Sequence, residues 1–131
     1  MIKNIMKLFV YGTLQDPDIV ELVLEHQNFT LSPYTLNGYK AVMAKDEDFP
    51  VLIESDSSLE GYLLLNLAAK DIERIKYYEG EEFELKEIKP GLYTFLPTTT
   101  ELMTDRPWCI SGLNKQEYLK RVKNYLKGNK W

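Results

Sequence analysis

Histidine and cysteine are nearly missing from this chain: His26 and Cys109 are single occurrences among 131 residues. One cysteine can form neither an internal disulfide nor a thiolate metal cluster, and one histidine has no partner for a histidine-based metal site. A Cys–His or Ser–His nucleophilic device would have to rest on His26 alone. Its place near the end of a predicted helix reads instead as a surface histidine suited to the helix dipole. Long apolar runs are missing too. Leu8-Phe9-Val10-Tyr11, preceded by Lys3 and Lys7, is too short for the apolar core of a signal peptide, and no segment is long enough to span a bilayer. The expected compartment is therefore the cytoplasm, with no membrane partner. Net positive charge is absent as well: the balance is −4, which argues against a general nucleic-acid binder. The basic residues that crowd the last stretch, among them Lys120, Arg121 and Lys123, read as the solvated face of a terminal helix. No repeat, low-complexity tract or linker appears, and 131 residues suit one domain over 1–131.

What is present is a chain with 44% hydrophobic and 27% charged residues, enough for a packed core. The pattern predicts a strand over Lys7 to Tyr11, followed at once by Gly12. Asp16-Pro17 then opens a helix as N-cap and first helical residue, and the spacing of Ile19, Leu22, Val23 and His26 carries it to about His26. Pro33 and Gly38 bracket an expected loop before a strand over Tyr39 to Ala44, and Phe49-Pro50 turns a corner into Val51-Leu52-Ile53. Leu59 to Leu65 reads as a strand buried on both faces. Asn66 is placed to cap a helix with Ile72 and Ile75 pointing inward, ended by Tyr78-Glu79-Gly80. Pro90-Gly91 joins two strands as a hairpin, and Asn114 with Glu117 starts a final helix whose stripe of Tyr118, Leu119, Val122, Tyr125 and Leu126 reads as core packing. Strands interrupted by helices, with connections too short for regular parallel crossovers, predict an α+β domain on a mixed, barrel-like sheet.

Chemistry has two candidate places. Tyr11-Gly12-Thr13-Leu14 joins a buried strand to a helix, where a Gly lets the backbone bend sharply and the turn aim N–H groups at one point. It lacks the second Gly and the Lys-Ser/Thr of a phosphate-binding P-loop, so an ordinary strand-to-helix turn stands beside an anion-binding one. The second place is Tyr77-Tyr78-Glu79-Gly80-Glu81-Glu82. Three acidic residues this close favour a solvated turn. Glu79 differs in following aromatics and preceding a Gly; turned inward, its carboxyl would move toward neutrality by loss of water and could accept and return a proton.

Leu8-Phe9-Val10-Tyr11-Gly12-Thr13-Leu14, Phe49-Pro50, Leu59-Glu60-Gly61-Tyr62-Leu63, the Ile75-to-Gly80 helix end and Leu92-Tyr93-Thr94-Phe95 follow one another in an order that resembles the γ-glutamylcyclotransferase-like (AIG2-like) superfamily. The resemblance implies a mixed β-barrel with helices around it and a cavity at one side. It implies Glu79 as the catalytic carboxylate, and Tyr11, Gly12, Thr13 and Leu14 as the loop gripping the α-carboxylate end of a small γ-glutamyl substrate. The implied reaction is intramolecular: the α-amino group attacks its own γ-carbonyl, and 5-oxoproline and an amine result without any cofactor. Phe83 and Leu85 stand where many relatives carry a Tyr and an Arg, which makes Phe83 the substrate-facing wall and leaves open a non-catalytic module that binds a small metabolite.

Overall fold

The computed structural model describes residues 7–43, 50–80, 83–98 and 115–127. Its centre is strand β1, Lys7–Val10, whose Leu8, Phe9 and Val10 are all buried. Alternation along β1 divides the core. Leu8 and Val10 face a cluster with helix residues Ile19, Val20, Ile75 and Val122, whereas Phe9 and Tyr11 face Leu36, Leu52 and Leu92 on the opposite side. A short 3₁₀ turn, Thr13–Gln15, leads from the strand into helix α1, Pro17–Leu24. Asp16 caps α1 by accepting the Asp18 N–H and Pro17 holds the first helical position, as the sequence predicts. The helix stops at Leu24, short of the expected His26, because Glu25 takes a left-handed conformation at φ 64°.

The next two strands form one long hairpin, β2 over Thr30–Met43 and β3 over Pro50–Leu65. The loop expected between Pro33 and Gly38 is therefore strand. Pro33 is tolerated because β2 lies at the edge of the sheet, where a missing N–H costs no ladder bond, and Gly38 sits at the register shift between Asn37 and Tyr39. The two short strands expected around Ile53 and Leu63 are likewise one. Of that second segment Gly61 and Leu64 are buried and the rest half-buried or exposed, so β3 is interior in the sheet without being covered on both faces throughout. Phe49, Trp108, Cys109 and the Asn114 end of the last helix lie outside the described residues.

Helix α2, Ala69–Glu79, is capped by Ala68 and not by Asn66, which turns at φ 67° and donates from Nδ2 to Thr30 Oγ1. Asp71 does the capping chemistry from inside the helix: its buried carboxylate accepts the Ala68 N–H at 2.9 Å. The same carboxylate takes His26 Nε2 at 2.8 Å, while His26 Nδ1 accepts the Asn28 N–H. His26 is thus a clip between the end of α1 and the start of α2, a correction to the surface histidine expected from the sequence. Arg74 adds a second tie through the Leu24 carbonyl.

Strands β4, Phe83–Lys89, and β5, Leu92–Pro97, form the expected hairpin across Pro90-Gly91. The sheet order is β2-β3-β1-β5-β4, antiparallel except for β1 with β5, so it is mixed. It is not a closed barrel. Among the described residues β2 and β4 are two unjoined edges of a curled sheet, and side chains rather than a ladder bring them together: Phe83 of β4 packs on Val42 and Val51 of the long hairpin. Curling suffices because the hairpin covers the Phe9–Tyr11 face while the helices cover the other. Helix α3, Lys115–Lys127, lays Tyr118, Leu119, Val122 and Leu126 on the helix-side core, but Tyr125 is 48% exposed and joins Tyr77 instead.

Gly61 explains the glycine in the middle of β3. A Cβ there would stand 2.6 Å from the Val10 carbonyl oxygen and 2.8 Å from the Phe9 ring. Gly61→Ala must push β3 off the end of β1, and we expect a loss of about 1–3 kcal/mol in urea unfolding. A neutral or stabilising result would contradict this packing.

Candidate active site

The site forms where β1 ends and α2 ends. Beyond Val10 the chain is held by Tyr11, whose hydroxyl donates to the Phe95 carbonyl at 2.7 Å in the buried core. Gln15 Nε2 donates to the Tyr11 and Gly12 carbonyls at 2.9 and 3.1 Å. The bonds of the 3₁₀ turn run from Gln15 N–H to Gly12 and from Asp16 N–H to Thr13. The carbonyls of this corner are therefore occupied from the turn's own side, and the Thr13 and Leu14 N–H groups, first in the turn, have no partner within it. A Cβ on Gly12 would meet Pro50 Cγ at 3.0 Å, so the missing side chain lets Pro50 close the cavity wall.

Glu79 arrives from α2 by helical periodicity. Ile72, Ile75 and Glu79 stand at i, i+3 and i+7, so the carboxylate continues the buried apolar stripe of its helix. Gly80 ends the helix at φ +87°, with its N–H on the Lys76 carbonyl, which turns the chain away immediately after the carboxylate.

These two ends meet at a cavity of about 120 Å³. Its apolar walls are Phe9, Val10, Leu14, Pro50, Phe83 and Phe95; its polar lining is Tyr11, Gly12, Thr13, Tyr78, Glu79 and Tyr118. The volume is well below the ~300–1,000 Å³ typical of drug-sized pockets, so the enclosed part suits a small polar group. Burial raises the Glu79 carboxyl from its ordinary value to about 7. The residue as a whole is only half-buried, because it stands at the cavity wall, but its carboxyl is enclosed among apolar side chains. Burial, with the Glu79 charge adding to it, also holds the Tyr11 phenol well above its usual range. Tyr78 is raised well above its usual range too, by burial first and then by its Tyr118 neighbour.

The residues singled out from the sequence, Tyr11, Gly12, Thr13, Leu14, Glu79 and Phe83, all line this one cavity. Leu85 instead lines a neighbouring groove with Tyr77 and Tyr125. Sequence reasoning missed Tyr78 and Tyr118. Their hydroxyls lie 2.5 Å apart, and the Thr13 hydroxyl is 2.5 Å from Tyr78 and 3.4 Å from Tyr118. Tyr78 was findable, standing three residues after the inward Ile75. Tyr118 lay hidden in a stripe whose Leu119, Val122 and Leu126 pack the core. Among the described residues no group of three or more His, Cys, Asp or Glu is arranged to hold a metal ion, and no helix is long and apolar enough to cross a membrane.

A curled mixed sheet carries one desolvated carboxylate and the Tyr11-to-Leu14 corner in the lining of the same small cavity, on an α+β scaffold. The family model for gamma-glutamyl cyclotransferase, AIG2-like, matches residues 8–109, and the chain belongs to that family. AIG2-like protein B of Arabidopsis thaliana is 33% identical over 78 residues, 59% of this chain and 45% of that protein. Protein AIG2 A of the same plant is 32% identical over 83 residues, 63% of this chain and 48% of that protein. The matches thus span about half the length of these curated relatives. A solution structure of another Arabidopsis thaliana protein shares the fold at a TM-score of 0.63 and 21% identity, covering 96% of this chain and 93% of its own. An uncharacterized protein from Pyrococcus horikoshii does so at 0.57 and 19%, covering 88% and 95%.

The raised Glu79 carboxyl ties stability to pH. The folded state holds this proton to about pH 7, whereas the unfolded chain releases it near the ordinary value of 4.5. The stability contributed by the protonated group is therefore full below about 4.5 and is lost as pH rises through 7. Glu79→Gln cannot ionise and escapes that loss. We expect its advantage over the parent in denaturant unfolding to be larger at pH 8 than at pH 4, by about 2–3 kcal/mol. A pH-independent difference would show that the carboxyl is solvated.

Proposed function

We propose that the chain is an enzyme of the γ-glutamylcyclotransferase type, acting in the cytoplasm on a small γ-glutamyl amine or γ-glutamyl amino acid. The observation that carries this reading is that Glu79, with its carboxyl at about 7, shares one small cavity with the Tyr11-to-Leu14 corner. The Thr13 and Leu14 amides of the corner would hold the substrate α-carboxylate, folding the glutamyl group so that its α-amino nitrogen approaches the γ-carbonyl carbon. Glu79 takes a proton from that nitrogen as the new C–N bond forms. The tetrahedral centre then collapses, the bond to the leaving amine breaks, and the carboxylic acid returns the proton to it. The products are 5-oxoproline and a free amine, and Glu79 ends as a carboxylate.

A carboxyl near 7 suits both steps, since base and acid forms are each well populated at neutral pH. Phe83 in the cavity wall favours one other reading, a non-catalytic module that binds a small carboxylate, because an apolar ring there offers the substrate no polar contact. Turnover separates the two. Glu79→Gln is expected to keep the fold and to lower 5-oxoproline release from γ-glutamyl compounds by about 10²–10⁴-fold. In the parent, kcat/KM should rise with pH through an apparent pKa of about 7. Release undiminished in the Glu79→Gln variant would end the assignment, and thermal stabilisation by γ-glutamyl compounds without turnover would favour the binding module.

A further inference from the structure

Tyr118 lies nine residues past the end of the family match at residue 109, on a helix whose other inward residues pack the core. Tyr118 nonetheless lines the cavity together with Tyr78 and Thr13. The hydroxyl contacts order these groups as a chain, Thr13–Tyr78–Tyr118, with both consecutive distances 2.5 Å and the closing Thr13–Tyr118 edge long at 3.4 Å. Each hydroxyl has one proton to give. Two protons serve the two short contacts, and the third has only the long edge, so one O–H remains for an acceptor in the cavity.

The other polar side chains lining the cavity cannot supply that donor. The Tyr11 hydroxyl is spent on the Phe95 carbonyl, and Glu79 in its base form only accepts. Along the chain, an alkyl hydroxyl at the start and a phenol at the end is the polarity that serves a developing negative charge best. A phenol is the stronger donor, and each upstream bond polarises the next. Arg121 helps to hold this end in place, with its guanidinium 5.3 Å from the centre of the Tyr118 ring.

We infer that Tyr118 donates its hydroxyl proton in a hydrogen bond to the γ-carbonyl oxygen of the substrate, at the end of the Thr13–Tyr78–Tyr118 chain, and so stabilises the negative charge that builds there when the α-amino group attacks. This inference rests on the cyclotransferase reading. With the α-carboxylate on the Thr13–Leu14 amides and the amino group at Glu79, the γ-carbonyl oxygen is the substrate acceptor still in need of a donor. The C-terminal helix is then part of the site, although its sequence lies beyond the family match.

The test is steady-state 5-oxoproline release by the full chain with Tyr118→Phe, which removes only the oxygen. Expected are a fall in kcat of about 10- to 100-fold, KM within about two-fold, and the Glu79 limb of the pH profile unmoved. A purely structural role would lower the unfolding temperature and leave kcat alone. Thr13→Val, which cuts the start of the chain, should cost less than Tyr118→Phe. Unchanged kcat in Tyr118→Phe, or a larger loss in Thr13→Val, overturns the inference while the cyclotransferase reading stands. If the parent protein turns over no γ-glutamyl compound, that reading falls by itself, and titration with 5-oxoproline decides the role of Tyr118. Binding at least five-fold weaker in Tyr118→Phe then supports a carbonyl donor; equal binding, or none to the parent, overturns it.

Discussion

Everything in this structure is anchored on the packing of β1 from both sides. Four residues of strand carry the centre of the sheet, with β3 antiparallel on one edge and β5 parallel on the other. Phe9 and Tyr11 are stacked on one face, while Leu8 and Val10 enter the helix-side core on the other. The strand's end is pinned again by side chains: Thr94 donates to the Phe9 carbonyl at 2.9 Å, and Tyr11 donates to Phe95. These bonds are buried, so breaking either would leave an unsatisfied polar group, which is worse than losing a surface bond. The corner that follows is therefore aimed by the core and not by its own short turn.

That anchoring explains what could be read from the chain and what could not. Strong local chemistry was legible: Asp16-Pro17 at a helix start, Pro90-Gly91 at a hairpin, the apolar spacing of Ile72 and Ile75. The long hairpin was not, because Pro33 and Gly38 ordinarily punctuate a chain. Only the position of β2 at the sheet edge, with a register shift at the Gly, lets a strand run through both. Closure of the sheet was equally illegible, since whether two edges bond depends on curvature that no single segment encodes. His26 escaped for a similar reason: its partner Asp71 is remote in sequence and sits inside the next helix.

The candidate site divides along the same line. A continuous motif revealed the corner from Tyr11 to Leu14, and Glu79 stood out only in company with it. Yet Glu79 lies on the buried stripe of α2, so the period that placed Ile72 and Ile75 inward also placed the carboxyl inward. Tyr118 shows the limit of periodicity. A stripe states which face of a helix is covered, but not which end of that face lies over the core and which over a cavity. Val122, one turn further on, is packed in the core at 4% exposure, while Tyr118 is only partly buried against the core and also lines the cavity.

The arrangement has an internal logic that favours chemistry over simple retention of a ligand. A site built only to bind an anionic metabolite gains nothing from a desolvated carboxylate, which repels the same charge and lowers stability near neutral pH. Here the fold carries that cost in the wall of a small cavity that Phe9, Phe83 and Phe95 help to line, and burial there holds the carboxyl above its ordinary acidity. The Tyr78 and Tyr11 phenols, both held well above their usual range, line the same cavity and stay protonated where the carboxyl titrates. Phe83 fits the same logic. On the proposed reading, an apolar ring there would leave proton traffic to Glu79 alone and shift recognition of the substrate onto backbone amides and the hydroxyl chain. Specificity in such a site follows from the shape of a small cavity and the placing of a few donors.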